Sequence, residues 1–242
     1  MKKILKSMLI IAILAGLIIT FTGCGKKDDE ERVKDKAEEV IDKAADVLDK
    51  VDKIEKTEKT EKTEQNVATK EFSMGKWNNN VYSNDFLGLK FNLPKGWSYS
   101  SEKEIADMMN LGKELLNDDQ KLAAEVAKLT SAYYVVANNP STGDNVTILS
   151  EKPIVDITTD YYISQLKTQL SAVTSISYEI GETSKENISG KEYDVLTVTG
   201  TMSGVKVAQK YYVCKIDNYI VCIIATSNRG ETEINNIMKS FK

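Results

Sequence analysis

Beyond Phe21 no aromatic residue occurs until Phe72, and that gap decides where this chain can build a core. From Lys26 to Glu64, 26 of 39 residues are charged, 11 basic and 15 acidic, and glycine and proline are missing too. A stretch so poor in apolar surface cannot bury a core of its own. The chain from Phe72 to Lys242, about 170 residues, is ample for one. The sequence therefore reads as a charge-dense approach over residues 24–71 followed by one globular domain over 72–242.

Within the approach, Val33, Ala37, Val40, Ala44, Val47, Val51 and Ile54 recur at alternating spacings of four and three, and Ile41 and Leu48 widen the stripe. This heptad rhythm predicts an amphipathic helix. Alanine and valine make a weak seam, so a solvated helical spacer is preferred, with a weakly self-associating coiled coil as the alternative. The polar side of the stripe is acidic as often as basic, which disfavours a helix lying on anionic lipid. The repeat "KTEKTEKTE" at 56–64 has no apolar stripe and reads as a linker.

Ahead of the approach, Met1–Lys6 carries three lysines and Met8–Phe21 is a nearly unbroken apolar run. A membrane span needs roughly 20 apolar residues. This run is shorter and is interrupted by Gly16 and Thr20, so residues 1–23 read as an export signal. Its end, Phe21-Thr22-Gly23-Cys24, resembles the bacterial lipoprotein signal, with Phe21 in place of the usual leucine. That resemblance implies a diacylglyceryl group on the Cys24 thiol, cleavage before Cys24, and a lipid-anchored protein on the extracytoplasmic face of the cell membrane. Two or more acyl chains give stable residence where one would be marginal. Loss of Lys2, Lys3 and Lys6 with the signal takes the formal net charge from −4 to −7. A mildly acidic surface argues against nucleic acid as a partner.

Histidine is absent from the sequence. This removes Ser/His and Cys/His nucleophile pairs, histidine acid/base chemistry and most transition-metal sites. Chemistry resting on paired carboxylates survives, although no such pair is marked out. Asp144 and Asn145 stand without the spaced acidic ligands of a calcium loop. The residues call for no metal and no cofactor. The sequons at 145–147 and 187–189 read as chance in a bacterial lipoprotein. Of the cysteines left after Cys24, Cys214 and Cys222 flank "KIDNYI", a hairpin signal. A two-residue loop at Asp217-Asn218 would set Cys214 opposite Val221, and a three-residue loop would set it opposite Cys222. A disulfide is therefore open, but two buried thiols acting as small hydrophobes are preferred.

The domain begins with extended, alternating "VYSNDFLGLKFNLPKGW" at 81–97, where Asn84-Asp85 and Pro94-Lys95-Gly96 mark turns and predict a first hairpin. Ser101–Thr130 has apolar residues at helical intervals, split near Asn117-Asp118-Asp119 into two helices. Strands are expected at "SAYYVVANN" and "NVTILSEK", and a helix from Thr158 to Leu170 starting at Thr158-Thr159-Asp160. Four strands follow, "SISYEIGET", "KEYDVLTVTGTM", "VKVAQKYYVCKI" and "YIVCIIATS", with turns at Ser189-Gly190, Ser203-Gly204 and Asp217-Asn218. A closing helix is expected over Glu231–Phe241. Short turns between successive strands predict an α+β domain, a mostly antiparallel sheet covered by helices. The opening "YSNDFLGLKFNLPKGWSY" and this element order resemble the PsbP-like fold, also seen in Mog-type Ran-binding proteins and in bacterial lipoproteins. The resemblance covers roughly residues 76–242 and implies an accessory or binding module; it transfers no functional residue.

Among candidate residues, Trp97 directly follows a Pro-Lys-Gly turn and reads as a wedge closing the hairpin onto the core. Trp77, in "KWNNN" at the linker junction, either seals the domain edge or contacts a partner. The pairs Tyr133-Tyr134, Tyr161-Tyr162 and Tyr211-Tyr212 could give a sheet an aromatic binding face, but tyrosines straddling the core boundary are preferred. The functional expectation is a non-catalytic lipoprotein whose domain binds a protein or cell-envelope partner. The alternative is an enzyme or binding module acting on envelope carbohydrate or peptide through carboxylates and tyrosines.

Overall fold

The computed structural model describes residues 71–105, 131–153, 156–172, 176–202 and 204–242. The signal segment, Cys24, the stalk and linker, and most of the two helices expected over 101–130 lie outside the described residues.

The first strands form a sheet of their own. β1 (Lys76–Asn78), β2 (Val81–Asn84) and β3 (Leu89–Asn92) pair antiparallel in chain order. The expected hairpin is β2–β3, where alternation buries Tyr82, Leu89 and Phe91. Its loop is closed by Asn84, whose Oδ1 accepts the Leu87 N–H at 3.0 Å. β1 is an addition that the sequence pattern does not announce, because three residues with one apolar side chain carry no alternation. It folds back through Asn79-Asn80, with Asn79 at φ 51°.

The second sheet has seven antiparallel strands: β4 (Ser98–Tyr99), β5 (Ser131–Asn138), β6 (Asn145–Glu151), β7 (Ser177–Ile188), β8 (Lys191–Met202), β9 (Val205–Ile216) and β10 (Tyr219–Ser227). Their order across the sheet is β4-β5-β6-β10-β9-β8-β7. The β7–β8 turn is Ser189-Gly190, with φ of 54° and 79°, the double positive φ of a type I′ turn. β7 runs past the expected end at Thr183 to Ile188, through a bulge at Gly181-Glu182 opposite Thr197. As an edge strand it keeps pairing where its outward side chains are polar, which a hydrophobic pattern cannot report.

α1 (Thr159–Ala172) and α2 (Glu231–Met238) lie on opposite sides of this sheet. Thr158 caps α1, its Oγ1 accepting the Tyr161 N–H at 3.2 Å. A further helix opens at 102 under a capping box: Glu104 Oε2 accepts the Ser101 N–H at 2.6 Å while Ser101 Oγ accepts the Glu104 N–H at 3.3 Å.

Each face of the seven-stranded sheet carries its own core. On the first face Tyr134, Ile148, Val195, Tyr212 and Ile223 pack against Tyr82, Phe86 and Phe91 of the small sheet and its loop, and against Ile234 and Ile237 of α2. On the second, Val136, Leu149, Leu196, Val213 and Ile224 pack against Tyr162, Ile163, Leu166 and Leu170 of α1. The domain is thus α+β and mostly antiparallel, as expected, but its first face is covered by a second sheet as well as a helix.

This double cover corrects the tyrosine reading. Tyr133 and Tyr134 are both buried, on opposite faces, and so are Tyr211 and Tyr212. Tyr161-Tyr162 lies on a helix, with Tyr161 exposed and Tyr162 buried. A sheet covered on both sides has no outward side, so neither an aromatic sheet face nor a half-wet boundary forms at the two strand pairs, whereas Tyr161-Tyr162 straddles the core boundary as expected.

The register also decides the cysteines. β9 and β10 are joined by the two-residue loop Asp217-Asn218, which pairs Cys214 with Val221 and Cys222 with Val213. Cys214 belongs to the first core and Cys222 to the second; both are free and buried. The sheet itself stands between the sulfurs, so the disulfide option does not fit. Burial pushes the Cys214 thiol up to about 11 and Cys222 well above its ordinary value, which leaves both unreactive near neutrality.

Candidate functional site

Where the chain meets the domain, the backbone is fastened before the first strand begins. The Tyr82 hydroxyl donates to the Met74 carbonyl at 2.7 Å, and Asn84 Nδ2 donates to the Ser73 carbonyl at 2.9 Å. Gly75 directly follows these bonded carbonyls at φ 69°, so close to β2 that a Cβ would fall 2.5 Å from the Tyr82 hydroxyl. Only glycine fits both the conformation and the space.

This fastening lays the side chains of 72–77 along one rim. Phe72 stacks on Tyr219 at 5.3 Å and leans on Phe86 at 5.4 Å, with Lys152 Nζ on the Tyr219 ring at 5.6 Å. Trp77 packs on Tyr82 at 5.5 Å and lies flat on Tyr99 of β4 at 3.9 Å, the planes 8° apart. The rim is nonetheless open: Phe72 is 41% exposed, Met74 46% and Tyr99 39%. Trp77 is half-buried against the first core. It therefore seals the edge between the two sheets and presents the outer part of a stacked aromatic pair. Trp97 is also half-buried against the first core, the place expected of a wedge. The other large exposed apolar side chains among the described residues, Tyr161 and Val205, are on α1 and at the β8–β9 turn. Exposed aromatic groups held rigidly at low conformational cost are the usual anchors of a protein interface.

A second cluster is sealed. Glu151, 2% exposed at the end of β6, faces α1, where the Tyr162 hydroxyl lies 3.4 Å from its Oε1. Tyr133 of β5 and Cys222 of β10 are also close enough to feel its charge. Burial raises the Glu151 carboxyl to about 8, and the Tyr162 hydrogen bond only partly offsets that. At neutral pH the group is held protonated inside a tyrosine-lined site. Sequence pattern marks Glu151 only as one of the closing residues of a strand; its burial depends on α1 crossing above it.

Asp144 ties together the β5–β6 and β10–α2 loops. The carboxyl is 0% exposed; Ser227 Oγ donates to Oδ1 at 2.6 Å, Thr142 Oγ1 donates to Oδ2 at 2.5 Å, and Arg229 completes the set from the rim. Arg229 also meets Glu233 of α2 at 2.9 Å. Burial acts to raise this carboxyl, but the bonds from Arg229, Ser227 and Thr142 outweigh it and hold it below the ordinary value. Both of its oxygens are engaged by the protein, so it acts as a lock between loops. Among the described residues no group of three or more histidine, cysteine, aspartate or glutamate side chains could hold a metal ion. Among the same residues no helix is long and apolar enough to cross a membrane.

No family model and no curated protein sequence matches this chain. Among solved structures it is similar to the solution structure of cyanobacterial PsbP (CyanoP) from Synechocystis sp. PCC 6803, at 12% identity and a TM-score of 0.44, over 67% of this chain and 90% of that one. It is also similar to LpqN of Mycobacterium tuberculosis, a protein involved in cell envelope biogenesis, at 13% identity and a TM-score of 0.35, over 63% of this chain and 76% of that one. Likenesses at this level assign no residue and no ligand to the present chain.

Proposed function

We propose that this protein is a lipid-anchored, extracytoplasmic binding module: acyl chains on Cys24 hold it at the membrane, the charged stalk sets its reach, and the domain engages a protein or other cell-envelope partner without catalysing a reaction. One observation carries the binding role: the rigid, partly exposed ridge Phe72, Met74, Trp77 and Tyr99 at the point where the stalk joins the domain. A tethered domain meets its surroundings first around that rim. The competing carboxylate chemistry would need an acid that substrate can reach, whereas the tyrosine-lined acid, Glu151, is closed off.

The ridge is tested by detergent extraction of the full-length protein and its Trp77→Ala/Tyr99→Ala variant, followed by co-purification. A species recovered with the parent and depleted at least about tenfold with the variant supports the reading; equal recovery sinks it. The tether is tested separately by Cys24→Ala, which should release the protein from membranes or leave the precursor uncut. Unchanged processing and membrane association would exclude the lipid anchor.

A further inference from the structure

Both sheets end in strands with no further strand on their outer side, and the fold treats those ends differently. In the small sheet β3 is closed by the end of the chain: the Lys90 N–H donates to the Lys242 carbonyl at 2.8 Å, and the Lys242 N–H donates to the Lys90 carbonyl at 2.9 Å. β1 and β4 are only three and two residues long. β7 is twelve residues long and mostly exposed, and among the described residues it pairs with β8 alone.

The two-residue Ser189-Gly190 turn makes Ile188 and Lys191 a hydrogen-bonded pair, which fixes the alternation along the rest of the hairpin. Asn187, Lys185 and Thr183 sit at the non-bonded pairs, as do Ile180 and Tyr178 beyond the bulge, so their N–H and C=O groups point away from β8. Such an edge is a template for an added strand, and bulges or lysines are the usual means of blunting it. Here the bulge at Gly181-Glu182 leaves the run from Thr183 to the turn regular, and Lys185 is bound back to Glu192 of β8 at 2.5 Å.

The side chains decide the occupant. Two-residue steps back from Ile188 of the first core put Glu186 and Glu182 on the first face. Glu179 joins them from between Tyr178 and Ile180, which pack on the second core. Glu186 is met by Lys210 at 2.9 Å, whereas Glu179 and Glu182 are exposed and meet no lysine or arginine among the described residues.

We propose that β7 accepts an extended, basic polypeptide segment as a further strand of the large sheet, with lysine or arginine at alternate positions beside Glu179 and Glu182. Main-chain bonds to the outward groups of β7 supply the affinity, and opposite charges on neighbouring strands, about 5 Å apart, supply the choice of sequence. A second copy of β7 fits badly: added antiparallel about a two-fold axis it keeps the faces matched and sets the acidic row against its own copy. β7 is at the opposite end of the sheet from β4 and the aromatic ridge, so this site does not rest on the partner that ridge engages.

The test is titration of the full-length, detergent-solubilised protein at low salt with a fluorescent nonapeptide of alternating lysine and threonine, and with its glutamate-threonine counterpart. The basic peptide should bind with a Kd of about 100 μM or tighter, and the acidic one at least about tenfold more weakly. Glu179→Gln combined with Glu182→Gln should weaken the basic peptide about tenfold while the free protein keeps its stability, since both residues are exposed. Amide hydrogen exchange followed by NMR separates an added strand from loose charge attraction. The Thr183 and Lys185 amides should exchange fast in the free protein and at least about tenfold more slowly with the peptide bound. The proposal is overturned if the basic peptide does not bind, if both peptides bind alike, if the double variant binds like the parent, or if those amides stay fast in the complex. Amides already slow in the concentrated free protein would give the edge to a second copy and overturn it equally.

Discussion

The two faces of the seven-stranded sheet are built from the same strands, residue by residue in alternation, yet they differ in what they tolerate. The first face is closed by the small sheet and α2 with aromatic and aliphatic groups, and its Tyr134 hydroxyl is paired with Ser150 at 2.7 Å. The Tyr212 hydroxyl is its exception among the described residues. The second face, under α1, carries a protonated acid and two buried polar atoms without a partner among the described residues, Asn145 Oδ1 and Thr147 Oγ1. Adjacent residues show the contrast directly: Ala225 against Thr226, and Ser150, paired with Tyr134, against the buried acid Glu151. The first face is specified by packing and the second also by polar chemistry, which is where function is most readily stored at some cost in stability.

Substitutions should separate the faces in order of effect. Phe91→Ala strikes the first, where Phe91 is fully buried between Trp77 and Phe241, and should cost about 4 kcal/mol in urea denaturation. A loss below about 1 kcal/mol would mean that the small sheet is not part of the cooperative core.

Glu151→Gln on the second face should act in the other direction and depend on pH. With its folded pKa raised to about 8 from an ordinary 4.5, the native state keeps a proton that the unfolded chain releases. Parent stability should therefore be highest below about pH 4.5 and fall as pH rises toward 8. The amide, which cannot ionise, should flatten that slope and stabilise the protein by about 3 kcal/mol near pH 9 while changing little near pH 4. Parallel curves for the two proteins would place Glu151 in contact with water.

Asp144→Ala removes a buried acceptor whose pKa is lowered, so its contribution should be present at neutral pH and fade as pH drops below the ordinary value of 3.8. A loss of about 2–3 kcal/mol at pH 7 is expected, shrinking in acid. Trp77→Ala should cost least, about 1 kcal/mol, because the residue is half-buried. A larger loss would recast the ridge as core.

How much of this was legible in the sequence follows the range of the interactions. The hairpin turns, the capped start of α1 and the four late strands rest on local signals, and Ser189-Gly190 and Thr158 carry them plainly. β1 has no local signal beyond Asn79-Asn80 and exists because β2 offers it an edge. The stacking of Trp77 on Tyr99 joins the small sheet to the first strand of the large one, and no spacing within "KWNNN" encodes that. Glu151 and Asn145 look like ordinary strand residues until the cross-strand register and the path of α1 bring polar groups together. Cys214 and Cys222 show the converse: a single residue in the loop length decided between two readings already set out.

The most direct test of the account is photo-cross-linking in intact cells from a benzophenone side chain placed at Tyr99, with the same group at Tyr161 and Val205 as controls. The ridge as docking surface predicts a discrete adduct from position 99 that disappears when Trp77 is also replaced by alanine, and none of that size from the two controls. The same adduct from all three positions, or none from position 99, would contradict it.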